Sequence, residues 1–176
     1  MFMRNLIAIF TFSLLPLLAS ASSLDSIYTD LSSAHCKTIE VEKEAGSSVQ
    51  KCAGVAGYKL LVEYDDARQS VTILTPDGQQ HPLHYWQVIT GAFSTVGEKA
   101  EWRVERKSGK IVPIALIVRV YANENPNSPS ERTSYLAVAK ITPEKICVTQ
   151  KIKGEATANE EARRAADASA NKPCLE

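Results

Sequence analysis

Between Thr38 and Ile152 the apolar residues of this chain recur at every second position, and that period constrains the fold more than any other feature. Successive side chains of a strand point to opposite faces, so a half-buried strand reads apolar, polar, apolar. Tyr58, Leu60, Val62 and Tyr64 alternate in this way with Lys59, Leu61 and Glu63. Asp65-Asp66-Ala67-Arg68 turns the chain into a second strand, Ser70 to Thr75, which ends in the turn chemistry of Pro76-Asp77-Gly78. Leu83 to Ile89 predicts a further strand, followed by an irregular stretch around Gly91 and Gly97. Ala100 to Arg106 then sets Trp102 and Val104 against Glu101, Arg103 and Glu105, the pattern of a sheet with one wet face. Ser108-Gly109 leads into Ile111–Tyr121, a long apolar strand in which Pro113 lacks an amide donor and belongs at an edge or a bulge. Ala122 to Thr133 reads as an exposed loop, and Tyr135–Ile141 with Ile146–Ile152 as a hairpin across Thr142-Pro143-Glu144. The expected fold is mainly β: a single antiparallel β-sandwich or barrel-like domain.

Two segments follow a different period. Leu24, Ile27, Tyr28 and Leu31 have the i, i+3, i+4, i+7 spacing of a short N-terminal helix. After Gly154, Thr157-x-x-Glu160 has the form of a capping box, and an Ala-rich helix follows to Ala170. Glu160–Arg164 and Arg163–Asp167 are opposite-charge pairs at i, i+4 on that helix. Alanine buries little area, so this helix is expected to hold the core weakly.

Residues 1–21 read as a secretory signal: Arg4, an apolar run from Leu6 to Leu18, then Ala19-Ser20-Ala21 before Ser22. That run is too short for a bilayer span, and no later stretch is long and apolar enough to cross. The expected organisation is therefore a signal over 1–21, a β-rich domain over 22–153 and a helical tail over 154–176, with export to the periplasm or beyond. Lys plus Arg and Asp plus Glu number 20 each, so no basic excess recommends a nucleic-acid partner.

The four cysteines, Cys36, Cys52, Cys147 and Cys174, favour two disulfides in an exported chain, among three possible pairings. A symmetric hairpin about Glu44-Ala45-Gly46 sets Cys36 opposite Cys52, within disulfide range, and leaves Cys147 to tether Cys174. There is no Cys-x-x-Cys pair for a zinc knuckle or a redox centre.

Catalytic patterns are sparse. His81 and His84 stand three apart, which on a strand directs them to opposite faces, and no further ligands accompany them. Neither a metal site nor a cofactor is expected. His-Glu-x-x-His and Gly-x-Ser-x-Gly are both absent. The enzyme alternative is a periplasmic hydrolase using carboxylates, or His81 and His84, on one sheet face. A binding loop is the stronger expectation: Thr90 to Lys99, with Thr90, Phe93, Ser94 and Lys99, followed by Trp102 at the start of the next strand.

The run from Cys52 to Gly78, which opens Cys-Ala-Gly-Val-Ala-Gly-Tyr and closes Thr-Pro-Asp-Gly, resembles the first hairpin of the bacterial C-type lysozyme inhibitors. Thr90-Gly91-Ala92-Phe93-Ser94 is similar to that family's Ser-Gly-x-x-Tyr signature, and Gly97-Glu98-Lys99-Ala100 to its Gly-x-x-Ala element. Gly91, Gly97 and Ala100 match, whereas Thr90, Ser94 and Val96 replace the family's serine, tyrosine and lysine. The resemblance implies a small exported β-barrel with a disulfide that inserts a loop into a lysozyme cleft. It transfers no individual residue role. The sequence thus predicts a non-catalytic protein that binds a protein or envelope component.

Overall fold

The computed structural model describes residues 23–128 and 130–176, so the signal expected over 1–21 lies outside the described residues, as does Ser22. Ten strands form one sheet: β1 (Ser23–Asp30), β2 (Lys37–Glu42), β3 (Ser47–Ala53), β4 (Lys59–Asp65), β5 (Arg68–Leu74), β6 (Gln80–Pro82), β7 (Ser94–Lys107), β8 (Lys110–Ala122), β9 (Thr133–Ile141) and β10 (Ile146–Lys153). A short helix α1 (Tyr85–Val88) precedes β7, and α2 (Ala158–Asp167) follows β10. The sheet runs β10-β9-β8-β7-β5-β4-β3-β2, with β1 added along β7 and β6 along β5. All pairings are antiparallel except one parallel bridge, Arg68 to Ser94, that joins the halves.

The sheet curls so that inward faces of both halves share one core. Leu60 and Val62 of β4, Val71 and Ile73 of β5, Trp102 and Val104 of β7 and Leu116, Val118 and Val120 of β8 all belong to it. The Trp102 indole is fully buried, donates through Nε1 to Thr29 Oγ1 at 2.9 Å, and packs against Tyr58 at 6.1 Å between ring centroids. Pro113 sits where the β7–β8 register shifts between Arg103 and Val104, so the bulge takes the residue that has no amide to donate.

The continuous apolar run of β8 has a second cause. Ala115 and Ile117 face outward, and with Leu136, Val138 and Ile152 they form a second cluster beneath Ala158, Ala162 and Ala166 of α2. Burial on both faces requires apolar residues at consecutive positions, which erases the alternation.

Three local expectations change. Leu24–Leu31 is strand β1 rather than a helix. Its period of two runs through polar residues: Thr29 faces inward to Trp102 and Leu31 enters the core, while Ser26 and Tyr28 face outward toward α2. Leu83–Ile89 contains helix α1 instead of a strand, because His84 adopts a left-handed conformation (φ +49°) that breaks extension after β6. The capping box at Thr157 does not form, since Thr157 has helical rather than extended backbone angles and makes no side-chain cap bond.

Helix α2 is held more firmly than its alanines alone suggest. Small side chains let it lie close on the sheet, and the Arg163–Asp167 pair opens so that each partner reaches β7 instead. Arg103 donates to both Asp167 carboxylate oxygens at 2.7 and 3.0 Å, while Arg163 Nε donates to Glu101 Oε1 at 2.7 Å. Ser26 Oγ links the two pairs, accepting from Arg103 and donating to Glu101, each at 2.6 Å. Glu101 and Arg103 are 9% and 8% exposed, so this face of β7 is covered, not wet. Gly154 is required for the crossing into α2: a Cβ there would lie 1.9 Å from Ser134 Oγ.

Both disulfides expected from the sequence are present, Cys36–Cys52 and Cys147–Cys174, with Cα separations of 4.3 and 5.7 Å.

Candidate functional site

The segment Thr90–Lys99 lies at one end of the sheet, where its residues line four clefts, and the structure divides it. Thr90 to Phe93 is irregular, whereas Ser94 to Lys99 is the first part of β7. The irregularity expected at Gly97 is a bulge: Val96 pairs Val120 and Ala100 pairs Val118, leaving Gly97, Glu98 and Lys99 opposite Arg119 alone. A Cβ on Gly97 would meet Arg119 Cβ at 3.2 Å, so glycine allows the close approach.

Phe93 is the exposed large apolar side chain of the segment, with 53% of its surface accessible. Its backbone is nevertheless pinned. The Phe93 carbonyl accepts from Asn123 N–H at 2.9 Å, and the following Ser94 N–H donates to Ala67 O at 3.1 Å. The Arg68 guanidinium lies 5.6 Å from the Phe93 ring centroid and donates through Nε to Gly91 O at 3.0 Å. Beside Phe93 opens a cleft of about 550 Å³, lined among others by Tyr64, Tyr121 and Arg132. Arg132 stands 5.9 Å over the Tyr121 ring and donates to Thr95 Oγ1 at 3.2 Å. Ala67 occupies left-handed backbone at φ +57° beside Asp66 at +45°, a two-residue hairpin turn in which glycine is usually favoured. Strain of this kind in a non-glycine residue, held next to an exposed aromatic, marks a place where the surrounding structure fixes a shape.

The other residues singled out from the sequence are distributed as follows. Lys99 is exposed on the bulge. Thr90 is buried, and its hydroxyl donates to Glu124 Oε1 at 3.1 Å. Ser94 is buried, with its hydroxyl unpartnered among the described residues. Trp102 is a core residue and contributes no surface. His81 lies half-buried on β6, His84 is exposed beside Trp86, and among the described residues no group of three His, Cys, Asp or Glu is placed to hold a metal.

Glu124 anchors the loop from outside. Burial raises its pKa, but hydrogen bonds from Tyr135, Thr90 and Thr133 outweigh that and hold the carboxyl below its ordinary value. Tyr135 donates to it at 2.7 Å, and its own phenol, partly desolvated and facing this carboxylate, is pushed up to about 12.

Arg68, Tyr64, Tyr121 and Arg132 belong to this site, yet in the sequence they read only as turn, strand or loop residues. Tyr64 was legible as a strand residue, and its position at the turn end of β4 marks it for the rim. Tyr121 and Arg132 lie near opposite ends of an exposed loop, and only the β8–β9 pairing brings them together. No family model, curated protein or solved structure matches the chain. Among the described residues no helix is long and apolar enough to cross a membrane.

Proposed function

We propose that this is an exported, non-catalytic binding protein that engages an envelope protein through the edge centred on Phe93. The observation that carries the reading is Phe93 itself: a large apolar side chain held out to solvent on a backbone fixed from both sides, with an arginine over its ring. Exposed aromatics and arginines on pre-formed backbone are what interface hot spots are made of, because little ordering remains to be done on binding. Two disulfides agree with an oxidising compartment.

The sharper form of the proposal is inhibition of a cell-wall-cleaving enzyme, with Thr90–Phe93 as the inserted portion. Titration against a panel of lysozymes tests it. Inhibition that saturates near one-to-one, and that Phe93→Ala abolishes, is the expected result; flat activity curves across the panel reject the inhibitor form. A photo-reactive residue at position 93, compared with one at exposed Val41 on β2, tests the broader form. Cross-linking at 93 to no protein that is missing at 41 rejects it.

A further inference from the structure

We infer that the mouth of the curled sheet, next to the Phe93 edge, is a binding site for a neutral oligosaccharide. The inference does not depend on Phe93 as a protein-binding anchor. It starts from the inward face of β3, β4 and β5, which can be followed rung by rung in register. Cys52, Leu60 and Ile73 form one rung in the core. The next is Gln50, Val62 and Val71, and the outermost is Ser48, Tyr64 and Gln69. Side-chain direction repeats every two residues, so all three rungs share the inner face. The lining therefore changes from apolar to neutral polar toward one end.

Above these rungs lies a cleft of about 390 Å³, closed on its other side by Ser32, Ser33 and the β7 bulge. Its polar groups are hydroxyls and carboxamides. Glu98 is the single charged side chain in the lining, and no cation lines it among the described residues. Gln69 Oε1 accepts from Val96 N–H at 2.8 Å, but its Nε2, the Gln50 carboxamide, the Ser48 hydroxyl and the Tyr64 hydroxyl have no partner among the described residues. Half-buried groups on Ser48, Gln50 and Gln69, with the exposed Tyr64 hydroxyl at the rim, are left unmatched by the chain and are available to a ligand that offers many donors and acceptors.

The chemistry selects the ligand. An anion finds no cation here and meets Glu98. An apolar ligand would strand the amides and hydroxyls. A polyhydroxylated ring matches both groups of features: its hydroxyls pair with serine and glutamine, and its C–H face lies against an aromatic ring such as Tyr64, 37% exposed at the rim. Barrel mouths are common positions for small ligands because a rigid wall surrounds them.

Calorimetric titration of the oxidised protein with tetrasaccharides of glucose, galactose and N-acetylglucosamine, alongside a sulfated tetrasaccharide, tests the inference. At least one neutral sugar should bind saturably, and the sulfated one should not. Gln50→Ala and Tyr64→Ala should each weaken binding by about three- to tenfold, the loss of roughly one hydrogen bond or ring contact. Phe93→Ala should leave sugar binding unchanged while removing protein binding, which separates failure of this site from failure of the Phe93 edge. Should Gln50→Ala misfold, as judged by thermal unfolding, Ser48→Ala on the outer rung takes its place. The inference is overturned if no neutral sugar saturates, if the sulfated sugar binds as well, or if folded Tyr64 and Gln50 or Ser48 variants bind like the parent.

Discussion

β2 and β10 are the two end strands of one sheet, but they are stabilised in different ways. Every residue of β2 is exposed, whereas Ile146, Val148 and Ile152 of β10 are buried, the first two in the main core and the third under α2. The β10 side is layered: sheet in the middle, core on one face, helix on the other. The β2 side has neither layer over it and is held by its ladder to β3 and by Cys36–Cys52. Lys37, Glu40 and Glu42 along β2 keep that edge charged, which discourages pairing with another chain. Each end carries a disulfide, Cys147–Cys174 at β10 and Cys36–Cys52 beside β2, but only the β10 end is also secured by burial.

The sharpest way to break this contrast is to remove mass from the buried core and from exposed β2. Trp102→Ala, at a fully buried site, should cost about 3–5 kcal/mol through lost transfer energy and the cavity left behind. Val41→Ala on β2, where the side chain is 57% exposed, should move stability by less than about 0.5 kcal/mol. Urea unfolding measures both, and similar costs would mean that β2 is covered in solution by another molecule or a second copy of the chain.

The disulfides sharpen the contrast further. Loop-closure entropy alone gives roughly 3 kcal/mol for each, slightly more for Cys147–Cys174 because it spans 27 residues rather than 16. Their local consequences should differ. Replacing Cys36 and Cys52 by serine should raise hydrogen exchange throughout β2 and β3. Replacing Cys147 and Cys174 should free only the last residues, including the Leu175 N–H that donates to Val148 O at 2.8 Å. Amides of α2 should stay protected by its alanines and arginines; rapid exchange there would show that the staple, not the packing, retains the helix.

The same contrast explains what could be read from the sequence. In β4 and β5, alternation and the turn chemistry at Asp65-Asp66-Ala67-Arg68 and Pro76-Asp77-Gly78 located the strands to within two residues, although Leu61, Ser70 and Thr72 on the other face are buried as well. The cysteine pairing followed from hairpin symmetry, which is local. What failed was whatever depended on a second layer. Glu101 and Arg103 read as solvent-facing because their alternation with Trp102 and Val104 is regular, yet the outward side of a strand is wet only if nothing lies on it. In β1, apolar spacing suggested a helix, since Leu24, Ile27, Tyr28 and Leu31 fit its period. The determining residues were polar: Thr29 bonded to Trp102 and Ser26 between two ion pairs. Similarly, the candidate site combines a loop found from its glycines and Phe93 with Arg68, Tyr64 and Arg132, which only the folded sheet brings near it. Ser48 and Gln50 were readable in principle, because parity from the buried Cys52 places them on the inner face.

The ion pairs under α2 allow a finer comparison within the covered side. Glu101→Ala would leave Arg163 and Ser26 Oγ without their acceptor at a site only 9% exposed, and should cost about 1–3 kcal/mol. Glu160→Ala, which removes an exposed i, i+4 pair at 4.0 Å to Arg164, should cost about 0–0.5 kcal/mol. Arg163 makes the buried pair the more persistent one: hydrogen bonds from its guanidinium to Glu101, then to Tyr28, raise its pKa beyond its already high ordinary value. Equal costs for the two glutamates would reduce the network to an ordinary surface contact.

The smallest effect concerns the loop beside Phe93, where one carboxylate adds to the backbone bonds and the Arg68 contact that hold it. Glu124 titrates below its ordinary value because hydrogen bonds from Tyr135, Thr90 and Thr133 outweigh the opposing effect of burial. Its contribution is therefore complete above the ordinary carboxylate range and is lost as pH falls through the lowered folded value. Tyr135 has the opposite sign on the alkaline side. Its folded pKa of about 12 lies above the ordinary 10.0, so its contribution is complete below pH 10.0 and disappears as pH rises toward 12. The difference in urea midpoint between the parent and Glu124→Gln should thus be flat near neutrality and shrink in acid, with Tyr135→Phe removing the alkaline limb. A difference that stays constant down to the acid transition would show that Glu124 fixes the loop by shape rather than by charge.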